Sequence, residues 1–317
     1  MTLYLDESAV KQLLNIDVAL AAVEAAHAAH ARGEAIDVPR QRTRLPQATL
    51  HILQGALPGE GVFGYKAYTT SRAGNRFLVH LFDAADGAPL AVLEADALGM
   101  MRTGAANAVA AKYLARPEAA VVGIFGAGWQ AQGQLEALCR VRPIRRVKVQ
   151  SRNAARREAF CVDMSRRLGI EVVPAAGPED AVRASDIVVT VSTAATPLFD
   201  GEWLGAGTHI NAAGSNALIR REIDEKAVLR ADRVCVDSRA TALAESGDLL
   251  PLLEKGRLHA GRLAELGEVI VGIRPGRTAS SQVTLFESQG MAIQDLALAA
   301  RLLPLARARG LGTTVPC

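Results

Sequence analysis

A chain of 317 residues with a net charge of +3 is long enough for two domains with substantial cores, and too nearly neutral for nucleic acid to be its partner. Half of its residues are hydrophobic and only 4% are aromatic. That balance excludes a disordered or fibrous chain and suits a helix-rich α/β enzyme. In chain order, residues 15–33 read as a helix, with Asn15 as N-cap and Gly33 as its stop. Ile16, Leu20, Val23 and His27 share one face of it. His27 and His30 lie three apart, without the third partner that a ligand role needs. From Pro39 to Glu94 the texture changes to short strand-like runs at 49–53, 62–70, 77–82 and 90–93, and Ala85-Asp86-Gly87 suits a hairpin turn. This is an antiparallel β region, in which His80 simply alternates with Leu81. Residues 96–115 are Ala-rich and helical, with an interruption expected near Arg102-Thr103-Gly104, and Arg116-Pro117 ends them at a domain boundary.

Beyond that point strands and helices alternate. Strands are expected at 120–125, 146–150, 171–173, 186–191, 208–212 and 233–237, and helices at 129–140, 154–168, 178–184 and 222–230. Such alternation implies a parallel, doubly wound sheet. A last helix is expected at 290–309, and periodicity leaves open which domain it joins. Cys139, Cys161, Cys235 and Cys317 show neither C-x-x-C pairing nor metal spacing. They suit thiols in a reducing compartment. No apolar run reaches the ~20 residues that span a bilayer, and the N-terminus lacks the regions of a signal peptide. A cytoplasmic protein with no membrane partner and no metal is expected.

The strand Val121-Val122-Gly123-Ile124-Phe125 runs into Gly126-x-Gly128-x-x-Ala131 and then a helix. Gly126 allows the tight turn, Gly128 lets a phosphate approach the backbone, and Ala131 lets the helix pack on its strand. Trp129 and Gln130 present N–H groups at the helix start, which suits a pyrophosphate. A nicotinamide dinucleotide is expected. The next strand leads into Gln150-Ser151-Arg152-Asn153 with no acid to bind a ribose 2′-OH. Ser151 offers a hydroxyl, and Arg152 can pair with a 2′-phosphate, aided by Arg156 and Arg157. NADP(H) is therefore favoured, with NAD(H) possible.

Several further segments follow in register. They are Gly64-Tyr65-Lys66, Met101-Arg102-Thr103-Gly104-Ala105-Ala106, His209-Ile210-Asn211-Ala212-Ala213-Gly214-Ser215-Asn216, Glu245-Ser246-Gly247-Asp248, Gly276-Arg277-Thr278 and Thr284-Leu285-Phe286-Glu287-Ser288-Gln289-Gly290. With the glycine loop, they make the chain resemble the ornithine cyclodeaminase/mu-crystallin family along nearly its whole length. The resemblance implies an α/β fold. A Rossmann-type domain over 117–289 would join an α+β substrate and dimerisation domain formed by 1–116 with 290–317. It implies a homodimer and hydride transfer at the Cα–N bond of an amino acid or its imine. Arg40 matches the family's first substrate-binding arginine, with Arg42 and Arg44 as rival registers. Lys66 matches the lysine near the substrate carboxylate and nitrogen, and Arg102 the arginine that clamps the carboxylate. Thr103, Ser192, Asn211, Gly214, Ser215 and Ser288 would meet the cofactor. Asn216 stands where the cyclodeaminase and archaeal alanine dehydrogenase carry an Asp, and an amide takes up no proton at neutral pH. Arg220 replaces a lysine of the cyclodeaminase. The resemblance thus favours an NAD(P)-dependent reductase of a small imine carboxylate. Ornithine cyclodeaminase and a non-catalytic NADPH-binding protein are the alternatives.

Overall fold

The computed structural model describes residues 1–316, and Cys317 lies outside the described residues. The described chain divides into two compact units. One is Met1–Ala105 together with the residues from Met291 onward, and the other is Ala106–Gly290.

The first unit opens with β1 (Thr2–Leu5), α1 (Glu7–Leu13) and α2 (Ile16–Ala31), then β2 (Ile36–Arg44), β3 (Ala48–Leu57), β4 (Val62–Ser71), β5 (Gly74–Asp83) and β6 (Pro89–Glu94). The Asn15 side chain accepts from the N–H groups of Asp17 and Val18 at the start of α2, and Gly33 takes φ 72° just beyond its end. The strands form one sheet whose order begins at a short C-terminal strand and runs β1-β6-β5-β4-β3-β2. Only the β1–β6 pair is parallel. β2 has no strand-like pattern because it is a charged edge strand. Its Pro39 falls inside a register shift between Val38 and Gln41, where a missing N–H breaks no ladder bond.

α3 (Asp96–Leu114) is continuous, and the expected interruption near Arg102-Thr103-Gly104 is absent. The Thr103 hydroxyl donates to Gly99 O at 2.7 Å, so this polar side chain is satisfied along the helix instead of breaking it.

The second unit holds β7 (Val121–Phe125), α4 (Trp129–Val141), β8 (Arg146–Gln150), α5 (Ala154–Leu168), β9 (Glu171–Pro174), α6 (Pro178–Val182), β10 (Ile187–Thr190) and β11 (His209–Ala212). There follow α7 (Glu225–Arg230), β12 (Arg233–Val236), α8 (Arg239–Glu245), α9 (Leu250–Glu254), β13 (Leu263–Glu265), α10 (Leu266–Ile270) and β14 (Thr284–Glu287). All eight strands are parallel, in the order β13-β12-β14-β11-β10-β7-β8-β9. Alternate residues of each strand feed two cores. Val122 and Ile124 pack with Leu135 and Leu138 of α4 and Met164 of α5. Phe125, Ile210 and Leu285 pack with Val228 of α7. The strand order reverses between β7 and β10, which is where open α/β sheets bind ligands beyond their carboxyl ends. The helix expected from 222 starts only at 225, because Asp224 is its N-cap, and the N–H groups of Glu222 and Ile223 donate to Asp248 Oδ1.

The chain then returns to the first unit. α11 (Ala292–Arg309) packs against α2, β3, β4 and β5, and β15 (Thr313–Val315) completes that unit's sheet beside β1. Among the described residues no helix is long and apolar enough to cross a membrane.

Candidate active site

In the first unit, α11 delivers two polar side chains into an otherwise apolar interior. Gln294 and Asp295 are both fully buried. Asp295 Oδ1 accepts from Lys66 Nζ of β4 at 2.8 Å and from Arg102 Nε of α3 at 3.1 Å. Arg102 Nη1 donates to Gln294 Oε1 at 2.7 Å, and Gln294 Nε2 lies 3.0 Å from Nε2 of His27 on α2. The second Asp295 oxygen is buried without a hydrogen-bond partner. Arg40 sits in the β2 irregularity and is the buried one of the three β2 arginines, Arg42 being intermediate and Arg44 exposed. The bulge turns Arg40 inward. Two buried cations therefore share one carboxylate, and the Arg40 charge acts on Lys66.

This charge excess sets the protonation of the cluster. Burial lowers the Lys66 pKa to about 8; Asp295 opposes that shift, while Arg102 and Arg40 add to it. Burial works to raise Asp295, but the charges of Arg102 and Lys66 outweigh it and hold the carboxyl below its ordinary value. Burial, helped by His30, pushes His27 down to about 3, so its ring is neutral. The Lys66 ammonium lies 5.3 Å from the Phe77 ring centroid and against Gly99, where a Cβ would stand 3.0 Å away. Such a site can hold a carboxylate and pass a proton near neutral pH.

In the second unit, the glycine turn has the backbone geometry that a diphosphate requires. Gly126 takes φ 134°, and a Cβ there would stand 2.5 Å from Val191 O beyond β10. Gly128 is the N-cap of α4, and no side chain caps the helix end at Trp129 and Gln130. A Cβ on Gly128 would meet only the Arg156 guanidinium, at 3.8 Å. At the end of β8, Ser151 is half-buried and Arg152 exposed, while Asn153 Oδ1 accepts from Arg156 N at 2.9 Å as the N-cap of α5. These residues fit a dinucleotide: a helix start without a side-chain cap, no obstructing Cβ and a neighbouring cation.

The remaining sequence candidates occupy the ends of β10, β11 and β14. Ser192 donates to Glu222 Oε1 through its N–H at 2.7 Å and its hydroxyl at 2.6 Å. Glu222 is buried, which pushes its pKa up to about 7 against the hydrogen bonds from Ser192. Gly214 is required beside it, because a Cβ there would stand 2.1 Å from Glu222 Oε2. Asn211 is committed inside the fold: its Nδ2 donates to Asn107 O at 3.2 Å, and its Oδ1 lies 2.9 Å from His209 Nε2. The Ser215 hydroxyl likewise closes its own loop by donating to Arg220 O at 2.9 Å, leaving Asn216 half-buried and Arg220 exposed. Ser288 donates to Asp237 Oδ2 at 3.2 Å. The three described cysteines carry no disulfide. Burial raises the thiol pKa of Cys139 and of Cys161 to about 11 and raises that of Cys235 as well, so these sulfurs are inert.

Sequence reasoning missed Asp295, Gln294, His27 and Glu222. A signal existed for the first two, since a Gln-Asp pair interrupts the apolar run Ala292-Ile293 to Leu296-Ala297-Leu298. Buried polar pairs of this kind are rare without a partner.

The sequence profile of the Ornithine cyclodeaminase/mu-crystallin family matches residues 2–305. The chain is 38% identical over 239 residues to Δ1-pyrroline-2-carboxylate reductase of Bacillus cereus, covering 75% of this chain and 73% of that protein. Its structure is similar to that of Thermococcus litoralis Δ1-pyrroline-2-carboxylate reductase in complex with NADH and L-proline. The TM-score is 0.95 at 33% identity, with 99% of this chain and 100% of that one covered. It is also similar to an archaeal alanine dehydrogenase dimer with bound NAD, with a TM-score of 0.93 at 33% identity and 99% of each chain covered.

Proposed function

The chain belongs to the ornithine cyclodeaminase/mu-crystallin family, and from that premise we propose that it is a Δ1-pyrroline-2-carboxylate reductase-like enzyme. It is an NAD(P)-dependent oxidoreductase acting on CH–NH or C=N groups. The observation that carries the substrate reading is the buried pair Lys66 and Arg102 sharing the single carboxylate of Asp295. Buried charge in excess calls for a counter-ion, and the carboxylate of a small imine supplies one. Arg102, with Arg40, holds that carboxylate through charge-assisted hydrogen bonds. Lys66, protonated below about pH 8, gives its proton to the imine nitrogen as general acid. Asp295 holds the ammonium and the guanidinium side by side, so that both meet one substrate in a fixed orientation.

The first unit is the substrate domain and the second the cofactor domain. A bound nicotinamide dinucleotide supplies the hydride. Gly126, Gly128, Trp129 and Gln130 would hold its diphosphate, Ser151 and Arg152 its adenosine end, and Ser192, Gly214 and Ser288 the remainder. The missing acid after β8, with Arg152 exposed and Arg156 beside Gly128, favours NADP(H). Asn216 offers no general base, which argues against ornithine cyclisation.

Oxidation of NADPH with Δ1-pyrroline-2-carboxylate, compared with alanine and with ammonia release from ornithine, tests this reading. Turnover of the imine with NADPH ahead of NADH is expected, and Arg152→Ala should narrow that preference about tenfold. Turnover of ornithine or alanine alone would overturn the substrate reading.

We also infer a homodimer. Strand register places Ile36, Leu50, Ile52, Phe63, Tyr65 and Phe82 on the sheet face turned away from α11. Ile36 is 60% and Phe63 39% exposed. An apolar face of this kind suits burial against a second copy. Phe63→Asp is expected to shift the sedimenting species from dimer to monomer, and a dimer unchanged by it would exclude this face.

A further inference from the structure

Resting on the carboxylate-binding role of Arg102, we propose that His27 and Gln294 are positioning residues. The His27 ring sets which way the Gln294 amide points, and that amide fixes the plane of the Arg102 guanidinium. Gln294 bridges the two, with Nε2 3.0 Å from His27 Nε2 and Oε1 accepting from Arg102 Nη1 at 2.7 Å. His27 is 1%, Gln294 0% and Arg102 9% exposed.

An amide presents a donor end and an acceptor end of almost the same shape. With its oxygen toward Arg102 it makes a charge-assisted hydrogen bond. Turned over, it would press an NH2 group against a guanidinium where burial keeps water away. The ring at the other end decides between the two. An unprotonated Nε2 accepts only from the NH2 end, whereas an Nε2–H would draw the oxygen away from Arg102. His27 Nδ1 has no hydrogen-bond partner. The histidine thus leaves one buried polar atom unsatisfied while its other nitrogen orients the amide. Arg102 is then held at two points, Nε by Asp295 and Nη1 by Gln294. Its Nη2 edge is left for the substrate carboxylate.

The relay is tested by a pair of substitutions at one position. His27→Leu removes the acceptor, while His27→Gln keeps one at a similar reach. His27→Leu is expected to raise KM for Δ1-pyrroline-2-carboxylate about tenfold, with kcat and the NADPH Kd within about twofold. His27→Gln is expected to restore most of that loss. If His27→Leu does not fold, Gln294→Met carries the test with the same expected rise in KM. Unchanged KM in the folded variant, or equal loss in His27→Leu and His27→Gln, would overturn the relay. A readout independent of turnover separates this inference from the proposed reaction. 15N spectra of labelled histidine are expected to show His27 as the Nδ1–H tautomer with unprotonated Nε2 from about pH 5 to pH 8. An Nε2–H or doubly protonated ring would sink the relay whichever substrate the enzyme takes.

Discussion

Lys66→Met is expected to lower kcat for imine reduction by about 10²–10⁴-fold, the usual contribution of a general acid, while NADPH binds with unchanged affinity. The side chain is 3% exposed, and methionine fills nearly the same volume, so the fold should tolerate the loss of charge better than it tolerates a cavity. The pH dependence carries the finer test. Burial, with the Arg102 and Arg40 charges, lowers the Lys66 pKa from 10.5 to about 8 even though Asp295 opposes the shift. Reduction needs the protonated form, so kcat/KM should be level below that value and fall tenfold per pH unit above it. In Lys66→Met the residual rate should lack this limb. A limb near pH 8 that survives the substitution would assign the proton to another group. An ordinary, solvated lysine would place the fall near pH 10.5, so the position of the limb also tests the burial of the site.

How far the sequence disclosed this site depended on whether a feature repeats locally. The alternation of strands and helices made β8 and α5 legible to the residue, at 146–150 and 154–168. The glycine turn was legible because backbone approach demands residues without side chains, and Gly126 indeed meets Val191 O. β2 was hidden by Pro39 and its charges, which an edge strand tolerates. β14 escaped because it has four residues and enters the sheet between β11 and β12, out of chain order. Asp295 illustrates the deeper limit. It meets Arg102 across 193 residues and Lys66 across 229, so no local pattern links them. Resemblance indicated Lys66, Arg102 and Arg40 as a group, but not the carboxylate that holds the first two. Asn211 shows the same limit at a strand end, where its amide meets Asn107, 104 residues away, as well as the nearby His209.

Asp295→Asn should destabilise the protein by about 3–5 kcal/mol, because it strips two buried cations of their shared counter-ion. Lys66 and Arg102 have side chains 4% and 11% exposed, and Asp295 has none of its side chain in contact with water. Asparagine is nearly isosteric, so the loss reports charge and not packing. The sign of its pH dependence is fixed by linkage. With Asp295 neutralised, nothing opposes burial and the Arg102 charge, and the Lys66 pKa falls below its present value of about 8. Between the new pKa and about pH 8, the folded variant binds fewer protons than folded wild type, while the unfolded chains bind the same number. The stability of the variant therefore rises faster with pH across that window. The deficit should be largest on the acid side, shrink as pH approaches 8, and stay level above it, where only Arg102 still lacks its partner. Urea midpoints of the two proteins measured at several pH values would show this. A deficit that stays level with pH across that window would mean that Lys66 is already neutral beside Asp295, and the proton donor proposed for the reaction would be lost with it. The same substitution should move the activity limb to lower pH, so stability and rate shift in the same direction for one electrostatic reason.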